Sequence, residues 1–212
     1  MTTAANPYTR TGYTFTGWNT AANGSGTAAT AGGSFTMPAA NTTLHAQWKT
    51  LYNAWADGFL PANNVSNPAG DNDGDTLTNL QEYAFGTDPT TGSNGTITYT
   101  GNLLTACGPP VARDLSPGTG GVDYRAVFCR RKNWQAEGLT YTVQFSVDLD
   151  YTPGNFQTVT MTAENATVLA TDAADVMEAV SVPYPWFIPY TRNTIPGYEK
   201  PTFFRLGVSS SN

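Results

Sequence analysis

The sequence predicts a mainly β fold in three parts: a small β-region over residues 1–50, a helix-loop-helix connector over 51–95 and a β-sandwich over 96–212. Three observations carry this. Thr occurs 34 times in 212 residues, beside 21 Gly and 14 Pro, and such a chain favours strands and turns over long helices. Only 12% of the residues are charged, about half the share of an ordinary soluble chain. Apolar residues and Thr alternate with a period of two in several short stretches. A formal charge of −6 argues against a general nucleic-acid binder, whose basic face must displace counterions. No apolar run reaches the roughly 18 residues that a transmembrane helix needs. The opening segment lacks the parts of a secretory signal. That leaves either a protein that is not secreted or a piece of a longer secreted precursor.

In the first part, Gly12 to Trp18 alternates aromatic residues with Thr and breaks at Gly17, which reads as a strand with a bulge or bend. Asn19 to Gly33 is a small-residue loop. Ser34 to Met37 is expected as a short strand closed by Pro38. Thr42 to Trp48 alternates again, and Trp18 and Trp48 are the expected core anchors. The segments YTRTGYTFTGWNTAANGSGT and SFTMPAANTTLHAQW resemble the internalin-type B-repeat, also called the Listeria-Bacteroides repeat. The resemblance covers about 43 residues of the region Asn6 to Thr50 and implies a small β-grasp-like extracellular module of bacterial surface proteins. It also implies a missing opening strand before Asn6, an incomplete sheet and an exposed edge open to a partner strand.

The connector holds most of the charge. Residues 51–95 carry six acids and no base, so their sum equals that of the whole chain. Leu51, Trp55 and Phe59 form one stripe of a short helix ended by Gly58 and Pro61. Leu77, Leu80 and Ala84 have the spacing of a second helix, with Gly86 as its left-handed stop and Pro89 beyond. Between the two stripes stands DNDGDTLTNLQE. Calcium takes six to eight hard oxygen ligands, and a 12-residue loop supplies them at fixed positions. Asp71, Asp73 and Asp75 fall at the first, third and fifth positions. Leu77 offers a carbonyl at the seventh, Asn79 stands at the ninth, and Glu82 is the closing carboxylate. The segment resembles EF-hand, dockerin and bacterial thrombospondin type-3-like calcium loops, which implies Ca2+ as the bound cofactor. It departs from them at Thr76, where Gly normally accepts positive φ; a β-branched residue there costs about 1–2 kcal/mol. The competing reading is an Asp-rich turn that only caps the second helix. Four carboxylates without a cation would repel one another, which favours the ion. Its expected role is structural, pinning the two helices and orienting the flanking β-regions.

In the third part, Tyr141, Val143, Phe145, Val147 and Leu149 alternate with polar residues as a half-buried strand. Further strands are expected at 96–104, 124–130, 156–162, 176–182 and 202–209, with Phe204, Leu206 and Val208 facing inward. Six or seven strands suit an antiparallel, Ig-like sandwich. The strands YTVQFSVDL and FFRLGV resemble those of a C-terminal β-module of large secreted bacterial repeat proteins. Cys107 and Cys129 leave two readings open, one bridge or two unpaired thiols; without a CxxC spacing they do not suggest zinc. His45 is the one histidine and reads as an exposed strand residue, with no GxSxG motif to accompany it. Asp148 and Asp150 read as a strand-end turn rather than paired catalytic acids. Arg130, Arg131 and Lys132 beside Trp134 read as a solvated hairpin end. The segment around Tyr184, Trp186 and Tyr190 has aromatics that suit either a glycan platform or packing on the sandwich. Gly108 to Gly121 is a long Gly- and Pro-rich loop.

These readings describe a non-catalytic, calcium-stabilised module of a secreted bacterial surface protein, with a structural or adhesive role. Its partners would be a cell-surface or extracellular protein or glycan, or copies of itself. Two alternatives stand beside it: a filament subunit assembled by strand donation to the open repeat edge, and an ancillary carbohydrate-binding module.

Overall fold

A computed structural model describes residues 1–60, 62–92, 95–115, 124–146, 157–160, 165–183 and 203–211. The fold is mainly β. Among the described residues no helix is long and apolar enough to cross a membrane. The chain divides into two compact units. One comprises Met1–Ser66 with Ala136–Gly138, the other Asn67–Gln135 with Leu139–Ser211.

The first unit holds strands β1 (Tyr13–Asn19), β2 (Ala28–Ala29) and β3 (His45–Thr50), in the order β2-β1-β3, all antiparallel. The bulge expected at Gly17 is present: the β1–β3 register shifts between Phe15 and Gly17. Gly17 has φ 141°, and a Cβ there would lie 2.9 Å from the Ala29 carbonyl oxygen, so neither the backbone nor the space admits a side chain. Trp18 and Trp48 are half-buried rather than fully enclosed. Both meet Phe15 edge-on, at centroid distances of 5.3 and 5.5 Å.

The strand expected at Ser34–Met37 does not form. Ser34 makes one antiparallel bridge to Thr2, Phe35 N–H donates to the Met1 carbonyl at 2.8 Å, and Thr3 N–H donates to the Gly33 carbonyl at 2.9 Å. Trp18 Nε1 donates to the Ala4 carbonyl at 3.0 Å. Residues ahead of Asn6 thus take a strand-like place beside Ser34, and Pro38, which has no N–H to give, follows close behind. The two-residue β2 lies within the small-residue loop expected over Asn19 to Gly33. Among the described residues β3 pairs only with β1 and leaves one edge open. Thr50 ends β3 and caps helix α1 (Leu51–Ala56) by accepting from Asn53 N–H. The helix tightens into a 3₁₀ turn over Asp57–Phe59. Trp55 and Phe59 pack at 5.0 Å, as their spacing requires, and Tyr52 joins them. The Tyr52 hydroxyl donates to the carbonyl of the fully buried Val65.

The second unit contains helix α2 (Asn79–Phe85) and strands β4 (Thr98–Thr100), β5 (Leu103–Ala106), β6 (Val111–Asp114), β7 (Tyr124–Arg131), β8 (Leu139–Ser146), β9 (Gln157–Thr160), β10 (Thr167–Asp172), β11 (Met177–Pro183) and β12 (Phe203–Ser210). They form a six-stranded sheet, β4-β5-β10-β11-β7-β6, and a three-stranded sheet, β12-β8-β9. The sheets are not wholly antiparallel, because β5 and β10 run parallel. The single strand expected over 96–104 is a hairpin, β4–β5, turned at Gly101 and Asn102. Gly101 has φ 57°, the conformation that a tight hairpin turn demands. Strand β6 lies within the expected loop 108–121. Strand β10, which no strand expectation covered, pairs with β11.

The alternation on β8 is borne out. Tyr141, Val143 and Phe145 are fully buried. Opposite them stand Val208, Leu206 and Phe204 of β12, half-buried on one face. Tyr141 joins the layers. Its ring stacks on Phe128 of β7 at 5.8 Å and meets Phe85 of α2 at 6.4 Å, and its hydroxyl donates to the Ala84 carbonyl at 2.8 Å. A second cluster on the large sheet gathers Ile97, Leu104, Val127, Cys129, Ala170, Met177 and Ala179. Val147, Leu149, Phe156 and Thr162 lie outside the described residues.

Candidate metal centre

The acidic loop belongs wholly to the second unit. Its end is set by α2. Thr78 accepts from Gln81 N–H, and the Gln81 side chain accepts from Thr78 N–H, a complete capping box. Gly86 closes the helix in the left-handed conformation, φ 72°, as its position implied. The cap is therefore made by Thr78 and Gln81, and the aspartates are not needed for it.

The aspartates instead shape the loop. Asp71 accepts from Gly74 and Thr76 N–H at 2.7 and 3.0 Å. Asp73 accepts from Asp75 N–H at 3.2 Å, and Asp75 from Leu77 N–H at 2.8 Å. These bonds turn the backbone around a common centre. One carboxylate oxygen from each of Asp71, Asp73 and Asp75 lies within 4.8 Å of the others. Oxygens bound to one calcium at 2.3–2.6 Å are at most about 5 Å apart, so the separation fits.

Glu82 is the most telling member. It is fully buried, and neither carboxylate oxygen has a hydrogen-bond partner; Asp73 Oδ2 is also buried and unpartnered. Unpaired buried polar atoms are costly, and a buried carboxylate more so. Burial first, then the charges of Asp73, Asp75, Asp71 and Asp88, push its carboxyl up to about 8. A cation among these oxygens would remove both penalties. The three aspartates thus fit a calcium ion, while Glu82 stands outside the group that lies within 4.8 Å and is tied to it by its orphaned oxygens and by charge.

Leu77, of which only the carbonyl was expected to contribute, gives its backbone N–H to Asp75. Asn79 is held through its amide nitrogen. Its Nδ2 donates to the Asn67 carbonyl at 2.9 Å, while Oδ1 is buried without a partner. Asp88 lies beyond the twelve-residue pattern, yet it faces Glu82 electrostatically. Its segment folds back on the loop: Asn72 Nδ2 donates to the Pro89 carbonyl, and a Cβ on Gly92 would lie 3.5 Å from the Asp73 carbonyl oxygen. The signal in the sequence is the acid count of residues 51–95, which Asp88 completes.

Thr76 has φ 80°, the strained conformation anticipated for a β-branched residue in place of Gly. Thr76→Gly is expected to stabilise the unit by roughly 1 kcal/mol, raising its melting temperature by about 3 °C. A lower melting temperature for the variant would mean that the Thr76 side chain supports the turn.

The other candidates fare differently. His45 is half-buried at the start of β3, opposite Asn19, rather than exposed. The basic cluster is solvated only at Lys132, which is exposed in the turn after β7. Arg130 is buried and paired with Glu178, Arg131 stacks over Tyr83 and donates to its carbonyl, and Lys132 pairs with Asp175. Cys107 and Cys129 are free thiols, the first half-buried against the cluster that encloses the second. Asp148, Asp150, Tyr184, Trp186 and Tyr190 lie outside the described residues.

Residues 1–47 match the Listeria-Bacteroides repeat domain. The match starts ahead of Asn6, so it takes in the segment that bridges to Ser34. No curated protein and no solved structure matches the chain.

Proposed function

We propose that this chain is a non-catalytic, calcium-stabilised module of a secreted bacterial surface protein, serving a structural or adhesive role. The observation that carries the calcium reading is Glu82: a fully buried carboxylate with two unpartnered oxygens, in the field of Asp71, Asp73, Asp75 and Asp88. The surface-protein reading rests on the repeat match over residues 1–47. Calcium would act through α2. Asp71, Asp73, Asp75 and Glu82 would hold the ion, tying the loop to the helix whose Tyr83, Ala84 and Phe85 pack into the core. Its effect is confined to the second unit, so the repeat stays folded with or without it.

Calorimetric titration of the full chain with calcium should show one site, with affinity in the extracellular range, on the order of 10⁻⁴ to 10⁻³ M or tighter. Glu82→Gln should abolish the heat or weaken binding at least about tenfold. Absence of any heat with the native chain, or binding unaffected by Glu82→Gln, would remove the calcium reading.

A further inference from the structure

The C-terminal end of α2 is fastened by side chains that stand far away in sequence. The last carbonyls of a helix have no partner within it. In α2 the Glu82 carbonyl accepts from Gly86 and Thr87 N–H at 2.8 and 3.1 Å. The next two carbonyls are taken by strands. Arg131 Nη1, at the end of β7, donates to the Tyr83 carbonyl at 3.2 Å. Its guanidinium also lies over the Tyr83 ring, 4.0 Å from the centroid, and a cation suits the partial negative charge of a helix C-terminus. The Tyr141 hydroxyl, on β8, donates to the Ala84 carbonyl at 2.8 Å and accepts from Arg131 N–H at 3.2 Å. One hydroxyl thus links α2, β7 and β8. At the other end of the helix, Asn79 N–H donates to the Gly70 carbonyl at 2.7 Å and Leu80 N–H to the Pro68 carbonyl at 3.0 Å.

These anchors matter because α2 has only seven residues. A helix shorter than about 12 residues does not hold itself in water, so its neighbours set where its side chains stand. Asn79 and Glu82 are three residues apart and share one face of the helix. Both are buried, and Asn79 Oδ1 and the two carboxylate oxygens of Glu82 have no hydrogen-bond partner. Glu82 immediately precedes the two residues whose carbonyls the strands hold. We propose that Tyr141 and Arg131 are positioning residues of the calcium site: by holding the Ala84 and Tyr83 carbonyls they fix the turn of α2 that presents Glu82 to the ion. The proposal rests on the calcium reading of Glu82 and extends it to strand residues 57 and 48 positions beyond the carbonyls they hold. The coupling runs both ways. An ion held by Glu82 tightens α2 against β7 and β8, and loosening α2 from those strands costs ion affinity.

The test is calorimetric titration with calcium of the native full chain and three variants. Tyr141→Phe keeps the ring that packs on Phe128 and Phe85 and removes only the hydroxyl. Arg131→Met keeps an apolar stem beside Tyr83 and removes the donor. Val182→Ala opens the core at the far end of β11, where fully buried Val182 stands opposite Ala126, and so controls for lost stability alone. Tyr141→Phe and Arg131→Met should each weaken calcium binding about fivefold or more, while Val182→Ala binds as the native chain does. The rise in melting temperature between chelator and saturating calcium should shrink in the first two and stay unchanged in the third. A merely structural role would lower both melting temperatures equally and leave the affinity alone. Native affinity in both Tyr141→Phe and Arg131→Met, or an equal loss in Val182→Ala, would overturn the positioning role and leave the metal site standing. If the native chain itself gives no heat with calcium, the metal reading fails and this proposal falls with it.

Discussion

Held in chelator, the second unit should melt at a lower temperature at pH 8 than at pH 5, and calcium at several hundred times its dissociation constant should erase that fall. The sign follows from Glu82. Its carboxyl is raised from an ordinary 4.5 to about 8 by burial and by Asp73, Asp75, Asp71 and Asp88. Below 4.5 the group is protonated whether folded or unfolded and contributes no penalty. Between 4.5 and 8 the unfolded chain ionises while the folded unit keeps its proton, so stability falls as pH rises. Above 8 the penalty is complete and amounts to a few kcal/mol. Calcium gives the ionised carboxylate a partner, so its stabilising effect should grow across the same window. Glu82→Gln gives a crossed outcome. In chelator at pH 8 the variant should melt higher than the native chain, having no charge to bury. In calcium it should melt lower, having lost a ligand. Melting curves followed by circular dichroism at both pH values, with chelator and with calcium, test all four combinations. Parallel curves for the two proteins would sink the assignment of Glu82.

What the sequence displays depends on whether the signal is local. The proposed loop ligands sit within twelve residues at fixed spacing, so that spacing alone picks out Asp71, Asp73, Asp75 and Glu82 as candidates. Gly17 and Gly86 are equally legible, because a broken alternation and a helix stop are local patterns. Tyr141, Val143 and Phe145 are marked by their period of two, and the fold buries all three. The features that local pattern misses are long-range. The parallel pairing of β5 with β10 joins residues that lie far apart in sequence, which no window of alternation reports. Thr2 opposite Ser34 is a single bridge, too short to leave a pattern. Asp88 escapes because its place beside Glu82 depends on the chain folding back after Gly86. The basic cluster misleads for the same reason. A run of three cations looks solvated until the strand opposite supplies a carboxylate.

That carboxylate belongs to Glu178, and Glu178→Ala should be among the most damaging single substitutions in the second unit. Arg130 and Glu178 stand directly opposite each other on β7 and β11. Arg130 Nε lies 2.6 Å from Glu178 Oε1, with side-chain exposures of 6% and 8%. The guanidinium also lies over the Trp134 ring, 5.5 Å from its centroid, and Trp134 is itself buried. Removing the acid leaves a cation in an apolar setting that water does not reach. Such a break costs about 3–5 kcal/mol, which for a unit of this size lowers the melting temperature by roughly 9–15 °C. Arg130 Nη1 is already buried without a partner, so the pair is not fully satisfied even as it stands. Desolvating both ions therefore offsets most of their attraction. The double variant Arg130→Met, Glu178→Leu should regain most of the stability lost in Glu178→Ala, because it removes the stranded charge along with its partner. If the double variant melts as low as the single one, the pair contributes through geometry that an apolar replacement cannot supply. If Glu178→Ala melts like the native chain, water or a neighbouring group reaches Arg130, and the strand pair is not the sealed layer its burial describes.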